Sequence, residues 1–146
     1  MAPITGSIEI ARPPQAVFDY VHDLTRHTEW QQGLLEVKVE SDGPTASGTQ
    51  AQETRKVPFG KQTYHYVITD YDPPKVAGFR VTTGPVRPEG TMTFTPLDDG
   101  ARTRVDFEME FKGHGLGVLL APLATRDARK HVPGDLQSLK ERVESS

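Results

Sequence analysis

The chain contains no cysteine, which excludes disulfides, thiolate catalysis and cysteine-ligated metals. It also lacks any apolar run near the roughly 20 residues needed to span a bilayer, so no integral membrane segment is expected. The opening Met1-Ala2-Pro3-Ile4-Thr5-Gly6 has no basic stretch followed by an apolar one. No secretion signal is read there, and a cytoplasmic location follows as the default expectation. Charge of one sign is not in excess: the net charge is −3, and Lys and Arg are scattered. The densest basic spot, Arg126, Arg129 and Lys130, fits a solvated helix face, so no nucleic-acid partner is expected.

Catalytic signatures are equally sparse. The five histidines, His22, His27, His65, His114 and His131, form no i, i+4 pair, and no carboxylate joins them at ligand spacing. No metal and no cofactor are therefore expected. A Gly-x-Ser-x-Gly elbow is missing. Gly113-His114-Gly115-Leu116-Gly117 lacks the spacing and the Lys-Ser/Thr ending of a phosphate loop, and its glycines read as a strand-to-helix turn.

What is present is a clear succession of patterns. The 146 residues are 35% hydrophobic, enough for one domain over 1–146 with a buried core. Ser7-Ile8-Glu9-Ile10 alternates as a strand, and Pro13-Pro14 then stops it and starts a helix, since proline fits the first turn. Val17, Tyr20, Val21 and Leu24 follow at helical spacing, with a second short helical piece through Thr25 to Trp30. From Leu34 the period changes to two, with Leu35, Val37 and Val39 expected on the buried face. Turn residues then recur at Ser41-Asp42-Gly43-Pro44, Pro58-Phe59-Gly60-Lys61, Asp72-Pro73-Pro74, Thr83-Gly84-Pro85 and Asp98-Asp99-Gly100. These five signals separate six strands. In the last, Val105, Phe107, Met109 and Phe111 oppose Asp106, Glu108 and Glu110, which makes the sheet antiparallel with one wet face.

A long helix beginning near Leu116 or Gly117 closes the pattern. Its apolar residues are Leu116, Leu119, Leu120 and Leu123 at one end and Val132, Leu136, Leu139 and Val143 at the other. Between them Ala121, Ala124, Thr125 and Ala128 are small, and Pro133 predicts a kink.

The ordered set Ile8-Glu9-Ile10, Pro14-Gln15-Ala16-Val17-Phe18-Asp19, Glu29-Trp30, Gly48-Thr49, Tyr71-Asp72-Pro73-Pro74, Phe79-Arg80-Val81 and Gly100-Ala101-Arg102-Thr103 resembles the START-like (SRPBCC, Bet v 1-like) superfamily, in its polyketide cyclase/dehydrase and lipid-transport branch. The resemblance covers essentially the whole chain. It implies an α+β helix-grip fold: a seven-stranded curved antiparallel sheet around a long C-terminal helix, with two short helices between strands 1 and 2. Members bind apolar molecules such as lipids, sterols, quinones and polyketides. Some are enzymes, some carriers and some co-chaperones, so the fold alone selects none of these.

Alternation along each strand then predicts the cavity wall. Tyr64, Tyr66 and Ile68, then Ala77, Phe79 and Val81, then Met92 and Phe94, then Val105, Phe107, Met109 and Phe111 should face inward. The helix should contribute Leu120, Ala124 and Ala128, where its small middle leaves room. Trp30 either guards the mouth or packs at the seam. The hydroxyls of Tyr64 and Tyr66 need a partner if buried, or reach water at the sheet edge. Glu53 and Arg55 share a face of the strand Thr49 to Val57, and an outward, solvated pair is the expectation. Aromatic polyketide cyclases of similar fold use an arginine and hydroxyl-bearing residues in the pocket; if Glu53 and Arg55 point inward, the resemblance implies Arg55, Tyr64 and Tyr66 as candidates for those parts, with no motif fixing the correspondence.

Three functions follow. The first is binding of a hydrophobic or aromatic small molecule, lipid or polyketide-like, by a monomer or homodimer. The second is a cyclase or dehydratase using Tyr64, Tyr66, Arg55 and Glu53 for acid–base work. The third is a co-chaperone-like interaction module with a filled core.

Overall fold

The computed structural model describes residues 3–146. Strand β1 (Ile4–Ile10) leads into helix α1 (Pro14–Val21), which starts on Pro14 as the proline rule requires. A 3-10 turn (Leu24–Glu29) follows. Then come β2 (Leu34–Val39), β3 (Gln50–Val57), β4 (Gly60–Asp72), β5 (Val76–Val81), β6 (Val86–Leu97) and β7 (Arg102–Gly113). Helix α2 (Gly117–Glu144) ends the chain and runs continuously through Pro122 and Pro133. The strands form one antiparallel sheet in the order β1-β7-β6-β5-β4-β3-β2, so the connection from β1 to β2 joins the two opposite edges. This is the helix-grip architecture. No helix among the described residues is long and apolar enough to cross a membrane.

Helix α2 does not lie across the middle of the sheet. It packs on β1, β7 and β6. Gly6 permits the close approach to β1, because a Cβ there would stand 2.8 Å from Leu136 Cδ1. The main core gathers on this side, with Ile10, Phe18, Val105, Leu139 and Val143 all buried within it. A smaller apolar cluster, Leu24, Ala51, Tyr64, Tyr66, Ile68 and Val81, lies under β3, β4 and β5. The cavity is the space that α2 leaves on that second side.

Two expectations about apolar faces are corrected. Leu35 is 54% exposed while Leu34 is buried, because the β2–β3 register shifts between Leu34 and Glu36. That bulge turns the Leu34 side chain, not that of Leu35, inward. Val39, at the far end of the edge strand, is 40% exposed. On α2, Leu116, Leu119 and Leu123 face water, and Gly117, Ala121, Ala124 and Thr125 face the protein. The cause is Gly117: a Cβ there would fall 1.7 Å from the Pro85 carbonyl oxygen, so backbone meets backbone and the small residues turn inward.

Candidate functional site

A cavity of about 210 Å³ lies between α2 and the β3–β5 half of the sheet. Most of its wall is carbon. Tyr64, Tyr66 and Ile68 of β4 alternate inward, and register sets Val81 opposite Tyr66 and Phe79 opposite Ile68. Ala77, Met92, Phe107, Met109 and Phe111 continue the wall, and Ala124 and Val132 supply the helix side. The space is not filled by side chains, contrary to the closed core of an interaction module.

Four residues expected in the wall are elsewhere: Val105 is fully buried in the main core and does not line the cavity, and three more are displaced. Phe94 packs edge-on against Phe18 with ring centroids 5.1 Å apart, inside the main core. Ala128 faces that same core, because the inward side of α2 rests on β1 and β7. Leu120 is half-buried at the edge of the leucine stripe and does not line the cavity. Trp30, which the sequence leaves between mouth and seam, lines the cavity and is 7% exposed.

The largest correction concerns Glu53 and Arg55, which point into the cavity instead of outward. Antiparallel pairing sets Glu53 opposite Tyr64 and Ala51 opposite Tyr66. Directly paired residues share a face, so an inward Tyr64 brings Glu53 with it. In the Arg55–Glu53 pair the side chains are 25% and 15% exposed, and Arg55 Nε donates to Glu53 Oε1 at 3.1 Å. Arg55 Nη2 donates to Gln31 Oε1 at 2.5 Å. Burial opposes the guanidinium charge, but the Glu53 carboxylate, helped by Asp135, outweighs it and holds Arg55 above its ordinary range.

Around this pair stands a polar arc that sequence reading did not identify. Asp135 of α2 accepts the Gln32 backbone N–H at 2.8 Å. Burial raises its carboxyl despite that bond and the nearby Arg55. His131 reaches Gln32 Oε1 at 2.8 Å and Asp127 Oδ1 at 3.2 Å, tying α2 to the segment before β2. His27 is held by its Nε2–H, which donates to the Val21 carbonyl at 2.6 Å, and burial keeps the ring neutral to lower pH than usual. Asp127, His131 and Asp135 share one face of α2 at i, i+4, i+8, but Gln32 and His27 come from other segments, so no spacing announces the arc as a whole. The one available signal is the parity of the β3–β4 hairpin, which links Glu53 and Arg55 to the tyrosines.

Among the described residues, two buried side-chain polar atoms have no hydrogen-bond partner: Trp30 Nε1 and Tyr66 Oη. Both side chains line the cavity and both are over nine-tenths buried. An unsatisfied buried donor costs about 1–3 kcal/mol. Burial also pushes the Tyr66 phenol well above its ordinary range, so it stays protonated and able to donate. Tyr64 is raised by the same cause. Among the described residues, no group of three or more His, Asp or Glu is arranged to hold a metal ion.

Comparison with known proteins adds a family and a set of similar folds. The family model described as polyketide cyclase / dehydrase and lipid transport matches residues 1–144. No curated protein matches the chain by sequence. Among solved structures, TTHA0849 from Thermus thermophilus is similar with a TM-score of 0.80 at 21% identity, covering 98% of this chain and 97% of that one. The Zhui aromatase/cyclase from Streptomyces sp. R1128 has a TM-score of 0.74 at 19% identity, covering 97% and 93%. The di-domain ARO/CYC BexL from the BE-7585A biosynthetic pathway has a TM-score of 0.74 at 17% identity, and the match covers 99% of this chain and 47% of that one. At these identities the likeness is one of fold.

Proposed function

The chain belongs to the polyketide cyclase/dehydrase and lipid-transport family, and from that premise we propose that it binds a compact, ring-bearing apolar molecule carrying a carbonyl or hydroxyl oxygen. The observation that carries this reading is the pair of unpartnered atoms, Trp30 Nε1 and Tyr66 Oη, on the wall of a cavity whose other polar groups, the Glu53–Arg55 pair and the arc around it, largely hydrogen-bond one another. A hydrocarbon would gain apolar burial at about 25 cal/mol per Å² but leave both groups unsatisfied. An oxygenated ligand gains the same burial and supplies an acceptor. The cavity is smaller than the roughly 300–1,000 Å³ of drug-sized sites, which favours a molecule of a few fused rings over a long acyl chain.

The test is a fluorescence titration, since Trp30 is the single tryptophan and lies in the cavity wall. Hydroxylated or quinonoid bicyclic compounds should quench it and bind about tenfold more tightly than hydrocarbons of the same shape. Tyr66→Phe should remove most of that preference without weakening hydrocarbon binding. Equal affinity for both classes would refute the reading, and so would the absence of any binding.

A second reading has its own observation, the inward Glu53–Arg55 pair beside Tyr64 and Tyr66. A carboxylate held by a guanidinium can accept a proton from carbon next to a carbonyl, while a neutral phenol donates to the oxygen. Together these are the parts of an acid–base ring closure or dehydration. Under this reading Glu53→Gln lowers turnover of an enolisable polyketone by at least about a hundredfold and leaves the quenching titration intact.

A further inference from the structure

Helix α2 carries an apolar stripe that the protein does not use. Leu116, Leu119, Leu120 and Leu123 follow the i, i+3, i+4, i+7 spacing of a core-facing helix. Leu116 is 82% exposed, Leu119 78% and Leu123 43%, while Leu120 is half-buried. The side of the helix facing the sheet is already occupied by Gly117, Ala121, Ala124 and Thr125. Water is a poor neighbour for three exposed leucines on one patch.

The stripe is continuous with the cavity. Side chains four apart stack along a helix, so Leu116 and Leu120 run into Ala124, and Leu119 and Leu123 run into Asp127 and then His131. Ala124, Asp127 and His131 all line the cavity. The tip of the β3–β4 hairpin contributes Lys56, Val57 and Pro58 to the same cavity. The charge around the stripe is opposite to that of the molecule. Residues 116–130 hold three basic side chains, Arg126, Arg129 and Lys130, and one acid, Asp127, in a chain of net charge −3. Asp127 hydrogen-bonds His131, and Arg126 and Lys130 are exposed.

We propose that this half of α2 docks on an anionic lipid surface, the leucines entering the interface and the basic residues meeting the headgroups. Leucine beside Lys and Arg is the composition of an interfacial helix. Protein interfaces differ in size: they need about 20–30 residues a side, far more than one short stripe supplies. Docking brings the rim of the cavity to the bilayer, so an apolar ligand passes between them without crossing water. That consequence rests on the ligand-binding reading above; the docking itself does not.

Sedimentation with phosphatidylcholine vesicles containing about one-third phosphatidylglycerol tests it. The full chain should pellet with these vesicles, and about tenfold less with pure phosphatidylcholine or in high salt. The double change Leu119→Ser and Leu123→Ser should reduce pelleting at least about tenfold. Both side chains lie outside the cavity wall, so Trp30 quenching by an oxygenated bicyclic ligand should persist in that variant. Arg126→Glu with Lys130→Glu, which leaves every leucine in place, should also release the protein. Pelleting with no ligand quenching would sustain docking and end the ligand reading. Failure to pellet, or pelleting that ignores both pairs of substitutions, would overturn docking. A solution dimer dissolved by the leucine changes, with no vesicle binding, would overturn it too and assign the stripe to a second copy of the chain.

Discussion

His22 is the residue whose chemistry most directly sets a solution property. Its ring lies 4.1 Å from that of Phe18 and 5.4 Å from that of Tyr71, measured between centroids, and its Nδ1–H donates to the Phe18 carbonyl. Burial lowers its pKa from 6.5 to about 4, outweighing that bond. The unfolded chain therefore takes up a proton below pH 6.5 that the folded chain refuses. The contribution is intact above pH 6.5 and is lost as pH falls toward 4, by about 3 kcal/mol in all. Urea unfolding at stepwise pH should show this decline, and His22→Gln should reduce it, leaving the part due to His27, which burial shifts the same way. At Glu53 the expectation concerns pairing. Glu53→Gln leaves the guanidinium of Arg55 sheltered without its carboxylate and should destabilise by about 2 kcal/mol, less than the roughly 3–5 of a fully buried pair. The inward placement of these two residues was legible in principle. A loop with an even number of residues between β3 and β4 sets 53 and 55 on the face of 64 and 66, and it is the general preference of charges for water that points the other way.

At the scale of elements, two glycines in α2 make a contrast that an unfolding experiment can read. Gly117→Ala would drive a Cβ into the Pro85 carbonyl, where backbone faces backbone and neither side yields. It should cost about 3 kcal/mol and shift the start of the helix. Gly134 lies in the helix interior with open space around its Cβ position. Gly134→Ala should therefore stabilise by about 0.5–1 kcal/mol through helix propensity alone. Denaturant midpoints for the two variants should move in opposite directions. The same elements mark the reach of pattern reading. Alternation gave the inward face of β4 from Tyr64 to Ile68, where its pairing with β3 and β5 is regular, whereas one bulge at Leu34/Glu36 inverted the prediction for Leu35. Helical period identified the leucine stripe of α2 but not its orientation. Period reports that a face is apolar, and a remote contact between Gly117 and Pro85 decides what that face meets.

For the whole molecule, folding and ligand binding are linked through the cavity. An oxygenated bicyclic ligand at about 100 times its dissociation constant should add about 2.7 kcal/mol to stability, visible as a raised melting temperature. Tyr66→Phe should shrink that gain for the oxygenated ligand and not for its hydrocarbon counterpart. The order of elements, the antiparallel meander and the face carrying Tyr64, Tyr66 and Ile68 follow from the sequence by itself, because proline, turn residues and period-two alternation act locally. Tertiary structure decided the rest. It placed α2 over β1, β7 and β6 through the Gly6–Leu136 approach, and so opened the cavity beneath β3 to β5. It also gathered Gln31, Gln32, Arg55, His131 and Asp135 from distant segments into one polar arc. Such groupings depend on how whole elements pack against one another, and that is a matter of side-chain shape across the core, which no local period encodes.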